Sequence, residues 1–164
     1  LIDTTGSSLF KRGYRTEKGG APIKENMAAA ILQLSNWYPD KPLVDPTCGS
    51  GTFCIEAAMM ARQIAPGLRR TFSFEEWNWI DNRLIQDVRT EASKKINRDL
   101  VLDIMGTDID ARMVEIAKEN AQKAGVASDI TLSKCGCKIC VQIRLMGSLS
   151  PIRRMVNAYP MMQG

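Results

Sequence analysis

The chain has 164 residues, 22 of them basic and 18 acidic, 45% apolar and no histidine. That length suits one domain with a sizeable core, and the absence of histidine removes imidazole acid–base chemistry and His-ligated metals. No apolar run is long enough to span a bilayer, no secretory n-region and h-region opens the chain, and five cysteines give no disulfide framework, so the cytoplasm is the expected compartment.

In chain order, residues 1–21 read as a strand-and-loop lead-in broken at Gly19-Gly20. Pro22 suits the first position of a helix running to Leu34. Pro42-Leu43-Val44 is a short buried strand. It runs into Asp45-Pro46-Thr47-Cys48-Gly49-Ser50-Gly51-Thr52, and an apolar helical pattern follows from Phe53 to Ile64. Pro66-Gly67 ends that helix, and the stretch on to Asn78 reads as loop with short helical content. Its aromatics, Phe72, Phe74, Trp77 and Trp79, are expected in core and lid packing. Residues 83–97 form a mostly polar helix whose apolar face is Leu84, Ile85, Val88 and Ile96, with Lys94-Lys95 solvated. Residues 101–110 read as a second strand ending in acids. A helix over 111–124 is expected to bury Met113, Ile116, Ala117 and Ala121. Asp129 to Leu132 opens a third strand.

The turn between the first strand and its helix carries the chemistry. Gly49 and Gly51 lack the Cβ atoms that would hold a ligand off the backbone. The helix start offers free N–H groups and the positive end of a dipole. Asp45, at the strand tip, can meet a cation or a hydroxyl. A P-loop is excluded because no Gly-Lys-Ser/Thr follows, and a dinucleotide G-x-G-x-x-G is absent. The constellation suits a small polar cofactor with a positive centre and a carboxylate, such as S-adenosylmethionine. Asp108, at the tip of the second strand, is the first choice to accept hydrogen bonds from ribose hydroxyls. Asp110 competes for that role, its alternative being the N-cap of the helix after it. The predicted cofactor set is therefore Asp45, Pro46, Cys48, Gly49, Ser50, Gly51, Thr52, Asp108 and Asp110, with no metal ligand and no catalytic residue assigned.

Asp-Pro-Thr-Cys-Gly-Ser-Gly-Thr at 45–52 and Gly-Thr-Asp-Ile-Asp at 106–110 together resemble the THUMP-associated class I S-adenosylmethionine-dependent RNA methyltransferases. These modify guanine on its exocyclic amine in large-subunit ribosomal RNA, and members are often labelled adenine-specific DNA methylases. The segment Leu9-Phe10-Lys11-Arg12-Gly13-Tyr14-Arg15, Ala21-Pro22-Ile23-Lys24-Glu25 and Ala28-Ala29-Ala30-Ile31-Leu32 is similar to that family's entry into its catalytic domain. The resemblance covers residues 1 to about 132. It implies an α/β, Rossmann-like class I methyltransferase sandwich of which only the N-terminal half is legible, with a helix beside the cofactor cleft from which Lys24 or Glu25 reaches the cofactor. It also implies a THUMP domain upstream and ribosomal RNA as partner.

From Ser133 onward the pattern changes. Five basic residues and no acidic one occupy 133–164, leaving 17 basic against 18 acidic residues before them. Cys135, Cys137 and Cys140 cluster there. A basic RNA-binding arm, a three-thiolate metal site short of its fourth ligand and an out-of-frame translation all compete. Codons for Pro151 to Tyr159, read one base earlier with suitable third bases, permit Asn-Pro-Pro-Tyr-Gly-Glu-Arg-Leu, and those for Gly147 to Pro151 permit a strand-like Gly-Val-Ile-Val-Ala. Asn-Pro-Pro-Tyr is the family's catalytic motif. It accepts hydrogen bonds from the target amine and stacks its ring on a flipped base. In its place stand Ile152, Arg153, Arg154 and Met155. The expected organisation is thus a lead-in over 1–21, a partial cofactor-binding domain over 22–132 and an out-of-frame tail over 133–164. A chain of this kind is a lineage member that is itself inactive.

Overall fold

A computed structural model describes residues 2–15 and 23–135. The Gly19-Gly20 break, the Pro22 helix start, Cys137, Cys140 and the 147–159 segment lie outside the described residues. Strands β1 (Leu43–Asp45), β2 (Ile104–Asp108) and β3 (Ile130–Lys134) form a parallel sheet in that order. Leu43 pairs with Ile104, and Ile104 with Ile130. Helix α1 (Glu25–Leu34) precedes β1; α2 (Thr52–Ala61) and α3 (Asn82–Lys94) connect β1 to β2, and α4 (Ala111–Ala124) connects β2 to β3, with 3₁₀ turns at Ser73–Glu76 and Ala127–Asp129.

Helix α2 lies at the centre. Its sequence is apolar on every side, and Cys54, Ile55, Ala57 and Ala58 are fully buried, as a helix without a polar face must be. The one charge on it, Glu56, is buried too. Its carboxylate accepts from the Tyr14 hydroxyl at 3.1 Å and pairs with Arg12 at 3.5 Å. Burial still pushes the Glu56 carboxyl above the usual range, against the lowering effect of Arg12. Tyr14, only 2% exposed, thereby seats the lead-in on the core.

Boundaries shift where tertiary contacts outweigh local pattern. No strand forms over residues 2–15. That segment is turns, gathered by the Arg70 guanidinium, which donates to the carbonyls of Thr5, Ser7, Ser8 and Lys11. Helix α1 starts at Glu25, because Arg15 takes the Ile23 carbonyl at 3.0 Å and Lys24 is extended. Helix α2 stops at Ala61 rather than Ile64. Gln63 adopts φ 56°, Gln63 N–H donates to the Met60 carbonyl and Ile64 N–H to that of Met59, the two bonds of a Schellman closure. Pro66-Gly67 comes after the end, not at it. Helix α4 spans the expected residues and closes the same way at Gly125.

Strand β2 begins three residues later than expected. Arg62 donates to the carbonyls of Asn97, Arg98 and Leu100 and holds that stretch as loop. The same guanidinium forms a two-pronged pair with Asp129, whose side chain is 5% exposed. Strand β3 runs from Ile130 through Ser133 to Lys134, paired with β2 throughout.

Two packing expectations are corrected. The buried face of α4 is Val114, Ala117, Asn120, Ala121 and Ala124, with Met113 and Ile116 at its margins. The 72–79 aromatics are not core. Phe72 stacks on Phe74 and Trp77 on Trp79, and Trp79 is 78% exposed. Leu84 and Val88 of α3 are likewise exposed, facing an open apolar groove with Phe72, Phe74 and Ile80. Lys94 and Lys95 are solvated as expected.

Candidate functional site

Parallel pairing of Asp45 with Gly106 brings the C-terminal tips of β1 and β2 side by side. Ligands of open α/β sheets bind outside those ends. Residues 45–52 cross this edge and enter α2, whose first turn no side chain caps. The turn is built from within. Asp45 Oδ1 accepts from Thr47 N–H at 3.1 Å, Cys48 N–H donates to the Thr107 carbonyl at 2.8 Å, and Gly51 N–H to that of Cys48 at 2.8 Å. Asp45, Pro46, Thr47 and Gly49 form its accessible side, while Cys48, Ser50, Gly51 and Thr52 are buried beneath.

The two glycines differ in what their missing side chains allow. A Cβ on Gly49 would meet only the end of Met113, at 3.9 Å. The space beside Gly49 is open to a ligand. A Cβ on Gly51 would lie 3.0 Å from that of Ala117, and Gly51 sits at φ 82°. Its Cβ is absent to let α2 pack on α4 and to hold a left-handed N-cap. The sequence argument assigned both glycines one role; the packing separates them.

Asp108 and Asp110 also separate. Asp108 bridges the strand tips, its Oδ2 accepting from Gly49 N–H at 2.9 Å and its Oδ1 from Asp110 N–H at 2.9 Å. Asp110 is the N-cap of α4, accepting from Arg112 N–H at 2.9 Å. Each carboxylate oxygen keeps further lone-pair capacity, and Asp108 is half-buried at the cleft.

Burial, followed by the neighbouring Asp108 charge, raises the Asp45 carboxyl above its usual range, although the Thr47 bond opposes the shift. A carboxyl raised on folding adds stability at low pH that is lost as pH rises through its folded value. At neutral pH the ionised Asp45 therefore carries a strain, chiefly from desolvation, with repulsion from Asp108 added to it. Asp45→Asn keeps the Thr47 acceptor and removes that strain. It is expected to raise the melting temperature of the free protein by about 1–3 °C, read by differential scanning calorimetry. A lower melting temperature would show that the Asp45 charge supports the fold.

Burial, then the charges of Asp45 and Asp108, push the Cys48 thiol up to about 12. Burial raises Cys54 well above its ordinary value as well. Thiolate is the reactive form, so neither cysteine is expected to be alkylated by iodoacetamide at pH 8 in the folded protein. Peptide mass spectrometry before and after denaturation checks this.

Three supports escaped the sequence argument. Asn120, 1% exposed, donates Nδ2–H to the Ser50 carbonyl at 3.1 Å. Thr107 Oγ1 donates to the Pro46 carbonyl at 3.3 Å. Arg15 Nη2 donates to Thr52 Oγ1 at 2.6 Å. Asn120 was visible in principle, as an amide within the apolar stripe Ala117, Ala121, Ala124. Arg15 was not, because nothing local ties it to a residue 37 positions away. Among the described residues no cluster of three or more Cys, Asp or Glu could hold a metal.

The model of the RMKL-like methyltransferase domain matches residues 12–142. The chain belongs to the RMKL-like methyltransferase domain family. It is 52% identical over 137 residues to YpsC of Bacillus subtilis strain 168, provisionally named an RNA methyltransferase. That match covers 84% of this chain and 36% of YpsC. It is 47% identical over 134 residues to the ribosomal RNA large subunit methyltransferase K/L of Aliivibrio fischeri MJ11, covering 79% of this chain and 19% of that protein. Among solved structures, SMU.472, provisionally described as a methyltransferase and crystallised with SAH, superposes with TM-score 0.79 at 62% identity. It covers 83% of this chain and 35% of that one. A Listeria monocytogenes protein described as an N6-adenine-specific DNA methylase gives TM-score 0.79 at 51% identity, with 82% and 36% covered. The RMKL-like domain here thus spans about a third or less of the length of these relatives. The Rossmann-like methyltransferase fold is theirs. No helix among the described residues of this RMKL-like chain is long and apolar enough to cross a membrane.

Proposed function

We propose that this chain is the cofactor-binding part of an S-adenosylmethionine-dependent RNA methyltransferase whose target is the exocyclic amine of guanine in large-subunit ribosomal RNA. The observation that carries the cofactor is the juxtaposition of Asp45 and Asp108 around an open Gly49 at the uncapped start of α2. The residues fit the group. Two carboxylates suit a sulfonium compound bearing a ribose, and the α2 terminus suits its carboxylate. When bound, S-adenosylmethionine supplies an electrophilic methyl. In this reading Asp108 accepts from the ribose hydroxyls, Asp45 faces the positively charged end, and Gly49 lets the ligand approach the backbone. Pro46, Cys48, Ser50, Gly51 and Thr52 shape the turn, and Asp110 sets the start of α4. The RNA reading rests on the names of YpsC and the K/L enzyme, and the cytoplasm is proposed as the compartment that goes with a ribosomal RNA substrate.

A second reading has its own support. Asn-Pro-Pro-Tyr is absent from the sequence, and Ile152, Arg153, Arg154 and Met155 stand where a one-base shift would place it. We propose that this polypeptide binds the cofactor without transferring its methyl group, and that residues from about 133 onward derive from a shifted frame. The organisation would then be a lead-in over 1–21, cofactor-binding residues 22–132 and a foreign tail.

Calorimetric titration of the chain with S-adenosylhomocysteine should show one-to-one binding. Asp108→Ala should weaken it at least tenfold, the cost of a charge-assisted bond or two. Incubation with radiolabelled S-adenosylmethionine and ribosomal RNA should transfer no label. Absence of binding would overturn the cofactor reading, and transferred label would overturn the second. Sequencing the encoding DNA across residues 132–159 tests the frame.

A further inference from the structure

We infer that Arg15 is a positioning residue that holds the cofactor turn in its binding shape by joining the N-termini of α1 and α2. The inference rests on the cofactor reading above. The Arg15 side chain is 13% exposed. Its Nη2 donates to Thr52 Oγ1 at 2.6 Å and to the Ile23 carbonyl at 3.0 Å, and its Nε lies 3.7 Å from Glu25 Oε1. Thr52 is the first residue of α2 and Glu25 the first of α1. One guanidinium therefore fixes the spacing of two helix starts. The fork of donors does this where a single ammonium could not.

The link reaches the turn itself. Thr52 Oγ1 lies 3.4 Å from Ser50 Oγ. Arg15 takes one lone pair of Thr52 Oγ1, leaving its proton and its second lone pair for Ser50, so the bond to Arg15 and the contact with Ser50 coexist on one hydroxyl. On the opposite side Asn120 holds the Ser50 carbonyl. The turn is held by Arg15 of the lead-in at Thr52, just after its second glycine, and by Asn120 of α4 at Ser50, between its two glycines. Residues that keep a binding loop within a fraction of an ångström supply part of its affinity without touching the ligand.

The test uses the 164-residue chain and two readouts. Hydrogen exchange of the free protein, followed by mass spectrometry, should show the amides of residues 45–53 exchanging about tenfold faster in Arg15→Met, with β2 and α4 unchanged. S-adenosylhomocysteine affinity should fall about tenfold with it. Arg15→Lys should recover part of both losses, since an ammonium reaches one acceptor and not three. Thr52→Val in the Arg15→Met background should add less than twofold, because both changes remove one contact. Uniform loss of protection across the core, unchanged exchange at the turn, or multiplying effects of the two substitutions would each overturn the inference. If the unsubstituted chain binds no S-adenosylhomocysteine, the cofactor reading fails, and the exchange data still decide whether Arg15 clamps the turn.

Discussion

Arg62→Ala is expected to cost about 3–5 kcal/mol of folding stability, a large share of what a domain of this size has. Arg62 sits at the C-terminal end of α2 and donates to three carbonyls of the loop before β2 as well as to both oxygens of Asp129. Alanine would leave the Asp129 carboxylate buried without its counter-charge and three loop carbonyls without their donor. Urea unfolding followed by circular dichroism measures the loss. The physical account makes a second demand. Buried pairs cost desolvation, so removing both charges is milder than removing one. Arg62→Met combined with Asp129→Leu should therefore be more stable than Arg62→Ala alone. Both variants lose the same three loop contacts, so a double variant no more stable than the single one would mean that the stranded Asp129 carboxylate is not the source of the loss.

Gly51→Ala should destabilise by about 2–4 kcal/mol, the sum of left-handed backbone strain and overpacking against Ala117. The Ala117 Cα, only 3.4 Å from the added methyl, is backbone and cannot turn aside. Gly49→Ala makes the informative contrast. Its φ of 52° is left-handed as well, but the added methyl enters open space. That substitution should cost about 1 kcal/mol of stability and still abolish measurable S-adenosylhomocysteine binding, because the methyl occupies the approach to the backbone. Thermal melts and titrations on both variants separate the two glycines. Equal stability losses would contradict the packing that distinguishes them.

Much of this architecture was legible in the sequence because its signals are local. Asp110 and Gly125 frame α4, and the structure keeps both ends. The alternation of strand, acid, glycine turn and apolar helix at 43–61 is confined to nineteen residues and survives intact. What failed was governed by distant partners. The α4 stripe rotated toward Val114 and Asn120 because Gly51 admits Ala117 at close range, fixing the helix roll. Helix α2 ended early through a left-handed Gln63, a residue without the conformational signature of glycine. The aromatics at 72–79 read as core and lid packing, yet Phe72 and Phe74 line an open groove with Leu84 and Val88, and Trp79 is exposed. Of the candidate site, the sequence could name residues 45–52 and Asp108 as neighbours at the strand tips; Asn120 stood out only as an amide in an apolar stripe, and Arg15 and Thr107 could not be named because they reach the turn from other elements.

The Arg70 guanidinium collects four carbonyls from residues 5–11, a stretch with no helix or strand of its own. Such a segment has almost no internal cooperativity. It is a tether folded over one main peg, with Thr4 held by Phe74 N–H before it and Arg12 and Tyr14 held by Glu56 after it. Its state is decided sixty residues away, so the first cut a protease makes there reports on the loop after α2 rather than on the segment that is cut.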